Sequence, residues 1–256
     1  MKHLALLAVL ALMAVAGGPG AAAADSRGTA RACHHPRYVT SDPNGMWFHG
    51  RYVVHNNMWN ASGYDVSERL RACSPGNWSV RATADNRSGD GAVKTYPNVH
   101  RDYHNWNTGH EPRIAAFRSI RSTFASRSPH VGIYDGAYDI WLNGVADGDS
   151  IELMIWTDNH HQVPAGRPVK KGLTFSHRTW KLWATPDRHY LAFVPNKPLG
   201  HGTIGLKQRF SYLMRHGFVP RDATLGQICF GYEIVSTGGS PASFKVDRFS
   251  VTSSRR

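Results

Sequence analysis

Acidic residues are scarce in this sequence of 256 residues, which has 18 Asp and Glu against 30 Lys and Arg and a formal net charge of +12. The basic residues are scattered, with no run of five or more. The chain therefore lacks the concentrated basic stripe that is typical of a nucleic-acid interface. We expect a solvated basic surface with no nucleic-acid partner and a weak attraction to anionic cell-wall polymers.

Cysteine is equally scarce, with only Cys33, Cys73 and Cys229. Cys33 and Cys73 lie in polar, turn-like sequence of the N-terminal part, and in an exported chain we expect them to form a disulfide. Cys229 lies in the apolar run QICFGY, where a free thiol behaves as a small hydrophobic side chain; a catalytic thiol is the alternative. The histidine pairs at 34–35 and 160–161 have neither cysteine partners nor the i, i+4 spacing of a metal site, so we expect no metal and no cofactor.

Long hydrophobic runs are missing after the first residues, so the remainder of the chain offers no membrane-spanning segment. At the N-terminus, Lys2 and His3 precede the run LALLAVLALMAVA and the small residues GGPGAAAAD. This three-part pattern predicts a secretory signal peptide that is cleaved after Ala24. A membrane anchor is the alternative, but the run has only about half of the roughly 20 residues that a spanning helix needs. We expect residues 1–24 to be removed and residues 25–256 to be secreted.

Linkers and internal repeats are missing too, which argues against a tethered second module. Residues 25–256 have the length of a single all-β domain with a substantial core. Short runs rich in Val, Ile, Tyr, Phe and Trp alternate with turn signals such as Asp-Gly and Gly-Gly, the pattern of an antiparallel sandwich or jelly roll. The predicted strands are RYVVHNNMW, WSVRATAD, GIYDGAYDIWL, SIELMIWT, RTWKLWAT, HYLAFVP, QICFGYEIVS and SFKVDRFSVT.

One segment, GLKQRFSYLMRHG, has the periodicity of a helix. From Leu206 onwards its apolar residues recur at i, i+4, i+7 and i+8, which places them on one helical face. Gly217 is a natural C-terminal stop. The sequence therefore predicts a β-sandwich with a single helix over about residues 204–216.

A single carboxylate, Glu152, stands in the otherwise apolar run SIELMIWTDN, although ionised carboxylates are rarely buried without a partner. Strand alternation places Glu152, Met154 and Trp156 on one face and the aliphatic residues between them on the core face. An acid beside a thioether and an indole suits the floor of a sugar-binding cleft. Alternatively, Met154 and Trp156 cover a second hydrophobic layer while Glu152 pairs with an arginine. This strand alone leaves both interpretations open.

A second isolated acid, Glu233, stands in the strand-like run CFGYEIVSTGG. Glycoside hydrolysis requires two carboxyl groups that flank the scissile bond. Two lone glutamates in two apolar strands are difficult to explain as core residues, but they are expected if both point into one cleft.

Five short motifs follow one another along the chain, and the helical segment comes just before the last of them. They are NNMWN (56–60), VKTYPN (93–98), AYDIWL (137–142), ELMIW (152–156) and GYE (231–233). In this order they resemble glycoside hydrolase family 12, the small secreted endoglucanases and xyloglucanases of bacteria and fungi. The resemblance extends from about Cys33 to Thr252.

The resemblance implies an all-β jelly roll of two curved antiparallel sheets, present as a monomer, with a β-glucan polysaccharide as its substrate. It also implies a retaining endo-hydrolase that cleaves β-1,4-linked glucans (cellulose, mixed-linkage glucan or xyloglucan) by double displacement. By this resemblance Glu152 is the nucleophile, Glu233 is the general acid/base, and Asp139 is the acid that lies against the nucleophile. Cys33 and Cys73 match the N-terminal disulfide of the family.

The resemblance further implies a set of substrate-binding residues. Asn57 and Trp59 match residues that hold a sugar on the non-reducing side of the cut, with Trp59 as the stacking platform. Met154 and Trp156 match positions beneath and beside the scissile bond. Pro164, in QVPAGRPV, is expected to border the cleft.

Two other functions stay open at the level of the sequence. The first is a non-catalytic carbohydrate-binding protein on the same sandwich, in which the glutamates only accept hydrogen bonds. The second is a basic secreted factor that binds cell-wall polyanions, for which the net charge is the only support. The presence of Glu152, Glu233 and Asp139 at matching positions favours the hydrolase.

Overall fold

The computed structural model describes residues 33–103 and 110–256, so the predicted signal peptide at residues 1–24 lies outside the described residues. Over the described residues the chain is mostly β-strand, arranged in two sheets, with one α-helix. The prediction of an all-β jelly roll with a single helix is confirmed. No helix in the described ranges has the length and apolar character needed to cross a membrane.

One layer of the sandwich is a six-stranded sheet in which all neighbouring strands are antiparallel. In spatial order its strands are β1 (Tyr38–Thr40), β4 (Val66–Ser74), β5 (Asn77–Ala84), β15 (Ala242–Arg255), β7 (Phe117–Arg127) and β13 (His201–Gly205). Along β5 buried residues alternate with more exposed ones, as expected for a strand with one face in a core and one face in water.

The other layer is a nine-stranded sheet, and its neighbours are antiparallel except for β9 and β12, which run parallel. In spatial order its strands are β10 (Arg167–Phe175), β11 (Arg178–Ala184), β12 (Tyr190–Pro195), β9 (Ile151–His160), β8 (Ile133–Leu142), β14 (Leu225–Ser236), β6 (Asn98–Asp102), β3 (Tyr52–His55) and β2 (Met46–His49). A tight turn cannot join a parallel pair, and the connection from β9 to β12 contains the hairpin of β10 and β11.

The hydrophobic core lies between the two sheets, because each sheet presents its apolar face to the other. Phe230 of β14 and Phe249 of β15 stack across this interface with ring centroids 6.0 Å apart and planes 7° from parallel. On β9, Ile151, Leu153 and Ile155 belong to the core. The alternation predicted for this strand is therefore confirmed, and the residues between them face the other side of the sheet.

The helix α1 (Leu206–Arg215) lies where the periodicity predicted it and buries Phe210 and Leu213. Beyond its last turn, Gly217 has a φ of +69°. Glycine adopts this left-handed conformation without steric cost, so it ends the helix as expected.

Helix α1 also buries a charged residue, Arg209, that the apolar pattern did not indicate. Its guanidinium lies 4.5 Å from the ring centroid of Trp180 and 4.7 Å from that of Phe175. Burial lowers the pKa of Arg209 to about 10, so the side chain keeps its charge at neutral pH. Cation–π contacts with the two rings offset part of the lost hydration.

The disulfide between Cys33 and Cys73 is present, with the two Cα atoms 5.7 Å apart, and confirms the predicted pairing. It ties the first described residue to β4. Cys229 is a free and buried thiol.

The inner face of β4 carries an unexpected acid, Glu68, which is buried. Thr95 Oγ1 donates a hydrogen bond to Glu68 Oε2 over 2.9 Å, whereas Oε1 has no partner. Burial raises the pKa of Glu68 from 4.5 to about 8. Between these two values the unfolded chain releases a proton that the folded chain retains, so this group lowers stability as the pH rises.

We expect Glu68→Gln to remove this titration. Between about pH 5 and pH 8 the free energy of unfolding of the variant should fall less than that of the wild type, leaving the variant on the order of 1–3 kcal/mol more stable at pH 7. Urea unfolding at a series of pH values measures the difference. Asp65→Asn, an exposed carboxyl nearby in the sequence, is the control. Parallel pH profiles for the wild type and Glu68→Gln would contradict the assignment.

Candidate active site

A cavity of about 320 Å³ opens on the face of the nine-stranded sheet that points away from the core. Three acids, Asp139, Glu152 and Glu233, line it together. Asn57 and Trp59 line the same cavity. The structure therefore brings together five of the residues that the sequence proposed for the site.

Three adjacent strands position the acids. Glu152 lies on β9 opposite Trp141 of β8, and Glu233 lies on β14 opposite Asp135 of β8. The two glutamates are thus separated by one strand and converge on one cavity. Their side chains point to the same side of the sheet because each strand presents alternate residues to the core.

Small residues occupy the sheet between the two glutamates. Ala137 of β8 lies opposite Gly231 of β14, and neither carries a side chain that could fill the cavity. At Gly231 an added Cβ would come within 2.1 Å of the carbonyl oxygen of Pro97. Only glycine fits at this position, because β14 and the Pro97 backbone approach each other closely there.

Burial sets the proton affinity of Glu152. Loss of hydration raises the pKa of its carboxyl from 4.5 to about 7, because a low-dielectric site disfavours the charged form. At neutral pH Glu152 is therefore ionised in a large fraction of molecules.

Glu233 holds its proton more tightly than an ordinary glutamate. Burial raises its pKa well above the usual value, and the neighbouring carboxyls of Asp135 and Glu152 raise it further. Like charges close together cannot all ionise readily. A carboxyl with a raised pKa is suited to donate a proton.

Asp135 is the acid that the sequence interpretation missed. It is fully buried without a hydrogen-bond partner for either carboxyl oxygen among the described residues, and the Glu233 carboxyl lies nearby and interacts with it electrostatically. Burial raises the pKa of Asp135 well above its usual value, as do the charges of Glu152 and Asp139. The criterion that selected Glu152, an isolated acid in an apolar strand, applies equally to Asp135.

Asp139 lies against the indole of Trp141 rather than in a hydrogen bond with Glu152. Trp141 Nε1 donates to Asp139 Oδ2 over 3.1 Å, while Asp139 Oδ1 is buried without a partner. Burial raises the pKa of Asp139 well above its usual value, and the charges of Glu152 and Glu233 add to the effect. Asp139 thus lies within electrostatic reach of both glutamates.

The loop after β3 presents Trp59 at the rim of the cavity, where the side chain is 60% exposed. Backbone hydrogen bonds hold this loop in place, from Met58 N to Pro43 O (2.9 Å) and from Tyr96 N to Asn57 O (2.9 Å). An exposed indole on an anchored loop is a ready stacking surface for a sugar ring.

Met154 and Trp156 share the strand face of Glu152 but are themselves buried and do not line the cavity. Tyr190 Oη and Trp156 Nε1 both donate to Met154 Sδ, over 3.2 and 3.4 Å. Pro164 is buried in the loop after β9 and also lies outside the cavity lining. Substrate contacts by these three residues stay predictions.

The other part of the cavity is lined by groups that the sequence did not select, among them His55, Gln227 and Cys229. Cys229 Sγ donates to Gln227 Oε1 over 2.9 Å. Burial lowers the pKa of His55 to about 4, and nearby His100 adds to this effect. The imidazole of His55 is therefore neutral at physiological pH. Across the described residues, no three His, Cys, Asp or Glu side chains are arranged to hold a metal ion.

Comparison with known families gives one match, which spans residues 50–253 and is described as glycosyl hydrolase family 12. Among curated protein sequences none matches this chain.

Solved structures share the fold over most of the chain. The xyloglucanase domain of NopAA from Sinorhizobium fredii, solved with cellobiose, is 24% identical with a TM-score of 0.70 and covers 86% of this chain and 100% of its own. A family 12 xyloglucanase from Bacillus licheniformis is 18% identical with a TM-score of 0.74, and the match covers 85% of this chain and 100% of the xyloglucanase. A metagenome-derived family 12 endoglucanase is 26% identical with a TM-score of 0.72, and the match covers 86% of this chain and 98% of the endoglucanase.

The close approach of Gly231 to the Pro97 backbone can be tested by substitution. We expect Gly231→Ala to lower the free energy of unfolding by about 2–4 kcal/mol, because the new methyl group forces the Pro97 backbone to move. Gly148→Ala is the matched control, since an added Cβ there meets no atom within 4 Å. Urea denaturation measures both variants, and equal stabilities would contradict the close approach.

Proposed function

The chain belongs to glycosyl hydrolase family 12, and on this premise we propose that it is a secreted, endo-acting, retaining hydrolase of β-1,4-linked glucans. The observation that carries the proposal is the pair Glu152 and Glu233, two half-buried carboxyls with raised pKa values in one cavity. Such a pair is what glycoside hydrolysis requires.

In the first step Glu152 attacks the anomeric carbon as a carboxylate. Glu233 donates its proton to the departing glycosidic oxygen, so the bond breaks without forming a free alkoxide. The product is a glycosyl ester of Glu152. The raised pKa of Glu233 supports its role as the proton donor, because burial and the neighbouring carboxyls of Asp135 and Glu152 favour its protonated form.

In the second step Glu233, now a carboxylate, accepts a proton from water. The water oxygen thereby becomes nucleophilic enough to attack the anomeric carbon, and the ester bond to Glu152 breaks. Two inversions at one carbon give net retention of configuration. Asp139 lies near both glutamates, and Asp135 lies beside Glu233 and helps to raise its pKa.

Binding of the polymer would rest on Trp59 and Asn57 at the cavity rim. Stacking of a pyranose ring on the exposed indole provides apolar contact, and the amide of Asn57 fixes orientation by hydrogen bonding. Neighbouring structures named as xyloglucanases and an endoglucanase support cellulose, mixed-linkage glucan and xyloglucan as candidate substrates. Met154, Trp156 and Pro164 are proposed to shape the same binding face from beneath or beside it.

The direct test is product analysis by proton NMR on barley glucan, xyloglucan and soluble cellulose. The full chain is expressed in a secreting host, and we expect a monomer with Asp25 as its first residue in the medium. New reducing ends should appear first as the β-anomer, because retention preserves the configuration of the cleaved bond. Glu152→Gln should lower kcat by about a thousandfold or more without loss of thermal stability.

Asp222→Asn, a change in an exposed turn, controls for loss of one negative charge. Release of the α-anomer would disprove retention. Binding of glucan without any hydrolysis would instead favour the non-catalytic carbohydrate-binding protein.

The pH dependence tests the partnership of Asp135 and Glu233. We expect kcat/KM to rise as Glu152 ionises with its pKa of about 7 and to fall as Glu233 loses its proton at higher pH. Asp135→Asn removes a neighbouring carboxyl that raises the pKa of Glu233, so the alkaline limb should move about one pH unit towards acid. The acid limb should stay in place. An unshifted alkaline limb, or a profile matching that of Asp222→Asn, would contradict the partnership.

A further inference from the structure

We propose that the outer face of the six-stranded sheet binds an acidic polysaccharide that carries carboxylate groups. This face lies on the opposite side of the sandwich from the cavity, so a bound polymer would leave the cleft open. The proposal concerns a separate surface and does not depend on the hydrolase activity.

The centre of this surface is a cluster of three exposed arginines, Arg69, Arg71 and Arg81, here called the arginine cluster. The first two lie on β4 and the third on β5, each between inward-facing buried residues. Alternation therefore directs all three side chains outwards. Two further exposed arginines, Arg121 and Arg248, lie on β7 and β15 of the same sheet.

The arginine cluster is unfavourable for the free protein. Arg69 lies directly opposite Arg81 in the antiparallel register, and Arg71 follows two residues later on the same face. Like charges directly opposite each other destabilise a sheet. Among the described residues no carboxylate forms an ion pair with any of the three. An anionic ligand would remove this repulsion.

Besides the inward-facing Glu68, the six strands of this sheet carry one acid, and that acid is already engaged. Asp247 of β15 accepts from Arg127 over 2.8 Å and pairs with Lys245 over 3.0 Å. It therefore neutralises these two cations and leaves the arginine cluster uncompensated.

The chemistry between the arginines indicates the kind of polymer. Hydroxyl side chains alternate with the cations, since Arg71 lies opposite Ser79 and Arg81 lies opposite Ser243. A guanidinium binds a carboxylate through two parallel hydrogen bonds, and serine hydroxyls can bond the hydroxyls of a sugar. A polyuronate offers both groups along an extended chain.

Nucleic acid fits this surface less well. Single strands bind proteins largely by stacking their bases on aromatic side chains. No Phe, Tyr or Trp is exposed among the described residues of the six strands. The surface therefore suits a chain of charged sugars better than a chain of bases.

The test is isothermal titration calorimetry of the full protein with polygalacturonate at low salt. We expect binding that weakens as salt is added and that falls about tenfold in the triple variant Arg69→Gln, Arg71→Gln, Arg81→Gln, because each exposed ion pair contributes a few-fold. Lys170→Gln, Lys171→Gln, Arg178→Gln is the matched control. It removes the same charge from exposed positions on β10 and β11 of the other sheet and should retain the affinity.

Two further measurements separate the outcomes. First, fully methyl-esterified polygalacturonate has the same backbone without charge and should not bind. Second, the triple variant of the arginine cluster should be at least as thermally stable as the wild type, because the repulsion between the arginines is removed. Equal losses in the two triple variants would overturn the proposal, since net charge alone would then explain binding. Tighter binding of single-stranded or duplex DNA through the same three arginines would also overturn it.

Discussion

Side-chain alternation along β8, β9 and β14 is the constraint on which both the core and the cleft depend. Each of these strands has one face between the sheets and the other in the cavity. A shift of one residue in register would exchange the two faces. The packing of Leu153 and Phe230 in the core therefore also determines where Glu152 and Glu233 point, and no separate scaffold is needed to aim the carboxyls.

Crowding acids into this cavity opposes folding. Burial raises the pKa values of Asp135, Asp139, Glu152 and Glu233 above their ordinary values, which means that ionising any of them costs more in the folded chain than in water. The aromatic and aliphatic core between the sheets offsets that cost. The same unfavourable burial separates the proton affinities of the two glutamates, so the instability of the site and its chemistry have one origin.

The parts of the fold with a clean periodicity were predictable from sequence, and the others were not. The apolar face of α1 and the isolated Glu152 and Glu233 stand out from their surroundings. In β7, Ser and Arg residues interrupt the alternation of apolar and polar side chains, so no strand was predicted there. Asp135 lies in the predicted strand GIYDGAYDIWL but outside the motif AYDIWL, so the sequence interpretation did not place it in the site. Its proximity to Glu233 is a through-space relation that linear sequence does not reveal.

The free thiol of Cys229 has a consequence for the life of the molecule. Burial raises its pKa well above the usual value, and the charge of Asp139 contributes to the shift. Thiol–disulfide exchange and oxidation proceed through the thiolate. Cys229 can therefore coexist with the Cys33–Cys73 disulfide. It neither exchanges with this disulfide nor forms an intermolecular disulfide with a second molecule.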